Sequence, residues 1–168
     1  MDKKQSADIA FVGAGNHATQ SLYPNIGQIP EFNLAAICDL DKEKARDAGR
    51  RFGATAWFTD VETMLKQVKP QGVCICGPAE MHYQVGLQVL RRGLPIFIEK
   101  PPGLTLEQAR ELADTAAANR TWALSKPGCG PGKSSLCRPK TGSSYAGKPL
   151  PARSARSSSP LPSIHSAG

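Results

Sequence analysis

Two neighbouring charged residues, Glu99 and Lys100, end the apolar run PIFI and are followed at once by Pro101 and Pro102. Each proline has a fixed φ and disfavours helix in the residue before it, so the pair holds Lys100 in an extended pose. A lysine at the carboxyl end of a strand could hydrogen-bond a substrate hydroxyl and favour its alkoxide form as a hydride departs. Glu99 could orient that ammonium or contact a cofactor; a solvated surface pair in front of a loop is the alternative. A second signature lies near the N-terminus, where GAGNHA at residues 13–18 fits G-x-G-x-x-G/A. Gly13 permits a tight turn, Gly15 lets the backbone approach a pyrophosphate, and Ala18 is small enough for close helix–strand packing. Gly13, Ala14, Gly15, Asn16 and His17 are thus candidate cofactor-binding residues.

For these residues to act together, the chain must bring them to one edge of one sheet. Strand-like runs are expected at residues 8–13, 32–39, 54–58, 72–77, 95–99 and 121–124. Helical patterns alternate with them. One begins near Asn16 and is interrupted by Pro24, and residues 41–53 form another, with Asp41 as N-cap, Ala45, Ala48 and Phe52 on one face and Gly53 as its stop. A third spans residues 80–93 with Val85 and Val89 at i,i+4. The last runs over 105–120, where Thr105 and Gln108 have capping-box spacing and Leu106, Ala109, Leu112, Ala113 and Ala116 form the apolar face. The alternation predicts an α/β fold, a doubly wound parallel sheet with a crevice at the carboxyl ends of its strands. In that fold the glycine turn opens a helix whose N-terminus faces phosphates, and Asp39, closing the second strand, stands where a ribose-binding acid belongs. A carboxylate there accepts from ribose hydroxyls and repels a 2′-phosphate, so NAD is favoured and NADP remains possible, given Lys42 and Lys44 nearby. The competing reading has Asp39 help Asp41 cap its helix.

Composition divides the chain. Of its 21 Lys+Arg and 14 Asp+Glu, fourteen basic residues and all the acids lie in residues 1–124, so that part is neutral. Residues 125–168 hold the other seven basic residues with no acid, and 11 Ser, 7 Pro and 6 Gly. This predicts a dinucleotide-binding domain over 1–124 and a basic, disordered tail over 125–168, because such a composition cannot bury enough apolar surface to offset its ordering entropy. The tail's lysines and arginines could bind nucleic acid non-specifically, but with one Tyr and no regular spacing a solvated coil is the expectation. GCGPGKSS in the tail imitates a phosphate-binding loop, yet Pro127 stands where its first glycine is required and Pro139 interrupts the helix that should follow. Cys38, Cys74 and Cys76 fall in strands and are read as small apolar residues, Cys129 and Cys137 as free tail thiols, and no metal site is expected. Without a signal sequence or a membrane-length apolar run, the expected location is the cytoplasm.

The glycine turn, AAICD closing the second strand, GPAEMHYQVGLQVLRRG after the fourth and FIEKPPGLTLEQARELADTA around the fifth resemble the glucose-fructose oxidoreductase / inositol dehydrogenase (Gfo/Idh/MocA) family over about residues 7–124. The resemblance implies a Rossmann domain of an NAD(P)-dependent oxidoreductase acting on sugars, cyclitols or related polyols. It makes Lys100 a substrate-contacting catalytic residue and places Glu99 and Pro101 at the nicotinamide pocket. Gly77 and Pro78 match a short cofactor-contacting turn, although the family has a small polar residue where Gly77 stands. His82 matches a histidine at the start of the next helix and is either structural or cofactor-adjacent. The family takes its proton-accepting histidine from a second domain through which members often associate. The abrupt shift after Leu124 leads us to expect a truncated enzyme with an out-of-frame or otherwise non-native extension, lacking that domain and inactive alone. A non-catalytic dinucleotide-binding module is the alternative, and a tail-driven nucleic-acid binder a third.

Overall fold

The computed structural model describes residues 6–125. The expectations for the tail, including the GCGPGKSS imitation and the state of Cys129 and Cys137, lie outside the described residues. Strands β1 (Ala7–Val12), β2 (Phe32–Cys38), β3 (Ala56–Phe58), β4 (Gly72–Ile75), β5 (Ile96–Ile98) and β6 (Ala123–Ser125) form one sheet in the order β3-β2-β1-β4-β5-β6. Every pairing is parallel. The chain reverses its direction of winding between β1 and β4, which makes their carboxyl ends the switch point of a doubly wound sheet.

The register of these strands is what assembles a site. Val12 pairs with both Cys38 and Ile75, and Ile75 with Ile98. The ladder then runs one residue further: Asp39 N–H donates to the Phe58 carbonyl, Gly13 N–H to Cys38, Cys76 N–H to Val12 and Glu99 N–H to Ile75, at 2.7–3.1 Å. Four residues distant in sequence, Asp39, Gly13, Cys76 and Glu99, therefore stand in one row along the carboxyl edge.

That register depends on an irregularity. Pairing slips by one between Ile9 and Ala10, leaving Ala35 extra on β2, and the Thr55 hydroxyl donates to the Ala35 carbonyl (2.8 Å). A one-residue bulge reverses which side chains face which side of the sheet. Leu34 and Ile37 accordingly share the layer containing Phe11, Tyr23 and Ala48, while Ala36 and Cys38 join Ala10, Val12, Met64 and Ile75 on the other face. Cys74 and Cys76 share the first of these faces. Burial pushes the Cys38 and Cys74 thiols up to about 12, so they stay protonated and pack as small apolar groups.

Helix α2 (Lys42–Phe52) follows its sequence signals. Asp41 caps it by accepting from the Glu43 and Lys44 N–H groups, worth about 1 kcal/mol, and Gly53 ends it at φ 75°. In α4 (Ala79–Leu90), Val85 and Val89 are buried as their spacing requires. Helix α5 (Leu106–Ala118) departs from expectation twice. Gln108 N–H donates to the Thr105 hydroxyl, but the Gln108 side chain accepts from Leu104 and not from Thr105. Leu106, expected on the apolar face, is 60% exposed, because burial begins more than a turn later at Leu112 and Ala116. Helix α3 (Val61–Val68) has no counterpart among the expected elements. Asp60 caps it through Thr63 N–H (2.7 Å), and Met64 and Leu65 are buried beneath it.

The helix after the glycine turn is the least regular element. Residues Ala18–Leu22 form a π-helical segment that passes into a single turn, α1 (Tyr23–Ile26), with Pro24 inside it. Proline has no N–H and its ring collides with the carbonyl four residues back, and a wider i→i+5 turn, Tyr23 N–H to the Ala18 carbonyl, relieves this. The helical stretch expected from about Asn16 thus continues through Pro24 to Ile26 by widening.

Candidate cofactor groove

A groove of about 410 Å³ opens above the row of strand ends, lined by Gly15, Asn16, His17, Ala18, Cys76, Gly77, Glu99 and Lys100. The fold thus brings the glycine turn and the Glu-Lys pair to one cleft on the same edge of the sheet. Glu99 is only 4% exposed, which rules out a solvated surface pair. Its Oε2 accepts from the Lys100 N–H (3.3 Å). Its Oε1 is buried without a hydrogen-bond partner, and His17 Nε2, on a half-exposed ring across the groove, lies 3.7 Å from it. An unpartnered carboxylate oxygen in a groove wall is costly unless a ligand donor meets it. Beside it, burial and then the Glu99 charge push the Cys76 thiol up to about 11.

The glycine turn is built around Gly13. At φ 103°, a Cβ on this residue would lie 1.9 Å from the Cys76 carbonyl oxygen, so no other residue fits where β1 and β4 converge. Asp39 combines parts of both sequence readings. Its Oδ2 accepts from the Ala14 N–H (2.7 Å) and its Oδ1 from the Asp41 N–H (2.9 Å). It steadies the Asp41 backbone while Asp41 itself caps α2. Each oxygen keeps a second lone pair, which leaves room for ribose hydroxyls.

His82, Pro101 and Pro78 are not among the residues that line the groove. His82 is 1% exposed. The Gly77 N–H donates to its Nε2 (2.9 Å), and its Nδ1–H donates to the Pro101 carbonyl (2.7 Å). A backbone N–H can only donate and a carbonyl only accept, so these partners set the tautomer. Both nitrogens of His82 are thus spent tying the end of β4 to the end of β5, the structural one of the two roles expected for it. Pro101, expected at the nicotinamide pocket, supplies that carbonyl, and its peptide bond to Lys100 is cis. Pro78, expected as a cofactor contact, is the residue before α4, extended at ψ 152°. At Gly77, a Cβ would lie 2.3 Å from Met81 Cε, the far end of a flexible side chain that can swing aside.

Tyr23, Cys76 and Met81 belong to the site although motif spacing does not single them out. Cys76 could have been found from register, since it follows β4 as Gly13 follows β1. Tyr23 has no such signal. It follows the π-helical segment, and its hydroxyl reaches the glycine turn and donates to the Gly13 carbonyl (2.9 Å). Its ring lies 4.4 Å from Phe11 and 4.9 Å from Phe52 between centroids, and burial, then Asp39, raise its pKa far enough to keep it a donor.

Strand order 3-2-1-4-5-6, a glycine turn at the switch point and an acid closing β2 are the parts of a dinucleotide fold. Residues 7–124 match the family described as an oxidoreductase family with an NAD-binding Rossmann fold, Gfo/Idh/MocA. The chain belongs to this family. It is 35% identical over 108 residues to D-glucoside 3-dehydrogenase of Escherichia coli K12, covering 64% of this chain and 31% of that protein. A dehydrogenase from Chromobacterium violaceum superposes with TM-score 0.69 at 30% identity, over 72% of this chain and 35% of the other. GenD2 of gentamicin A biosynthesis, solved in complex with NAD, does so with TM-score 0.68 at 26% identity, over 72% and 34%. The chain thus spans about a third of the length of these relatives. Among the described residues, no helix is long and apolar enough to cross a membrane.

Proposed function

We propose that residues 1–124, with Ser125 completing β6, form the cofactor-binding part of an oxidoreductase acting on a sugar, cyclitol or related polyol, and that the groove takes NAD in preference to NADP. The observation that carries this is Lys100 lining the same groove as Gly15, Asn16 and His17, beside a buried Glu99 oxygen with no hydrogen-bond partner. The residues present fit a dinucleotide. Gly15 presents no Cβ to a ligand in the groove, Glu99 Oε1 lacks a hydrogen-bond donor, and Asp39 presents a carboxylate at the end of β2. When bound, the nicotinamide ring accepts or returns a hydride. Lys100 donates to the reacting hydroxyl of the substrate and lowers the cost of negative charge on that oxygen. Glu99 accepts from ligand donors, and the Asp39 carboxylate repels a 2′-phosphate.

Since the chain spans about a third of its relatives, we further propose that it binds NAD without turning over a polyol on its own. NADH fluorescence and melting temperature test the binding. Saturation at micromolar NADH with weaker NADPH binding is expected, and no binding at millimolar NADH would overturn the reading. Reduction of NAD on a polyol panel, abolished by Lys100→Ala, would overturn the claim of inactivity alone.

A further inference from the structure

The peptide joining Gly13 to Ala14 is held at both ends by side chains from different elements. Its carbonyl accepts from the Tyr23 hydroxyl at 2.9 Å and its N–H donates to Asp39 Oδ2 at 2.7 Å. This grip answers a problem that the fold creates. The convergence of β1 on the Cys76 carbonyl demands glycine at position 13, and glycine has almost no backbone preference of its own to keep the following peptide in one orientation. A peptide plane points its C=O and N–H in opposite directions, so two grips, one at each end, hold it against rotation. Tyr23 is itself immobilised: it is 1% exposed, between Phe11 and Phe52. The Ala14 N–H, spent on Asp39, is not available to a phosphate, which leaves the loop amides after it to face the groove. Their direction follows from the plane that precedes them.

We propose that Tyr23 is a positioning residue for dinucleotide binding, acting with Asp39 as a clamp on the Gly13–Ala14 peptide. The proposal rests on the reading of the groove as a dinucleotide site. It gives Asp39 two separable roles, discrimination between cofactors and orientation of the loop, of which Tyr23 shares only the second.

Tyr23→Phe removes the hydroxyl and keeps the ring and its packing. Three measurements on the full chain decide the matter: amide hydrogen exchange at Ala14 without ligand, NADH and NADPH titrations, and melting temperature. The expected result is faster exchange at Ala14 and a Kd raised about three- to tenfold, as the competent loop becomes one of several orientations. The two cofactors weaken by the same factor, so their ratio is unchanged, whereas Asp39→Asn alters the ratio as well. A merely structural role predicts a lower melting temperature with unchanged affinity in the folded fraction, and that outcome overturns the proposal. Should the wild-type chain bind neither cofactor, the groove reading fails, and Ala14 exchange still decides the clamp: an unaltered rate in Tyr23→Phe overturns it.

Discussion

Replacing His82 by leucine removes both hydrogen bonds while keeping a side chain of similar size. The Gly77 N–H and the Pro101 carbonyl lose their partner, from 2.9 and 2.7 Å respectively. His82 is 1% exposed, so water reaches the two orphaned groups only from the exposed side of Gly77 and Pro101. An orphaned buried backbone group costs about 1–3 kcal/mol, and partial relaxation at the rim brings the pair to about 2–4 kcal/mol. At about 4 °C per kcal/mol for a domain of this size, the melting temperature should fall by about 8–15 °C. His82→Gln keeps one acceptor and one donor on the same side chain and should recover at least half of the loss. Thermal unfolding followed by circular dichroism measures the first effect. NADH titration below the transition measures the second, a Kd raised about fivefold as the ends of β4 and β5 loosen against each other. A His82→Leu protein melting within about 2 °C of wild type would refute the assignment of His82 as the tie between these strands.

Two further outcomes follow from the geometry. Gly77→Ser places a Cβ 2.3 Å from Met81 Cε, the end of a flexible side chain that can swing aside, and should destabilise the domain by no more than about 1 kcal/mol. Adding Met81→Ala should restore much of that stability, and additive losses in denaturant unfolding would disprove the coupling. Arg92, Gln88 and Lys66 surround Glu62 and hold its carboxyl down at about 2, below its ordinary 4.5. A depressed carboxyl stabilises the fold above its unfolded pKa and loses that contribution as pH falls through the folded value. The melting temperature of wild type should therefore drop more steeply than that of Glu62→Gln between pH 4.5 and 2, and parallel curves would count against this network.

The sequence sufficed where the determinant is local. Alternating apolar runs and capped helices specify the doubly wound class, because strand and helix periods and the Asp41 and Gly53 caps act within a few residues. The Glu99-Lys100-Pro101 and GAGNHA signatures mark both lips of the groove for the same reason. Helix α3 was equally legible, with Asp60 at its cap and Val61, Met64, Leu65 and Val68 at helical spacing, although it is not among the elements assigned from the pattern.

The tertiary structure alone decided what depends on two distant segments meeting. The bulge at Ala35 sets which faces of β2 are buried, and strand register places Asp39, Gly13, Cys76 and Glu99 in one row. Histidine at position 82 reads the same as a ligand contact or as a buried tie until the Gly77 amide and the Pro101 carbonyl are found on either side of it. Tyr23 has no motif, since a hydrogen bond between a phenol and a glycine carbonyl is set by how the helix packs beside the turn and not by any local spacing. Local propensity acts along the chain, whereas a site is a set of distances across it. Those distances exist only once burial of the two apolar layers has chosen a single register for the sheet.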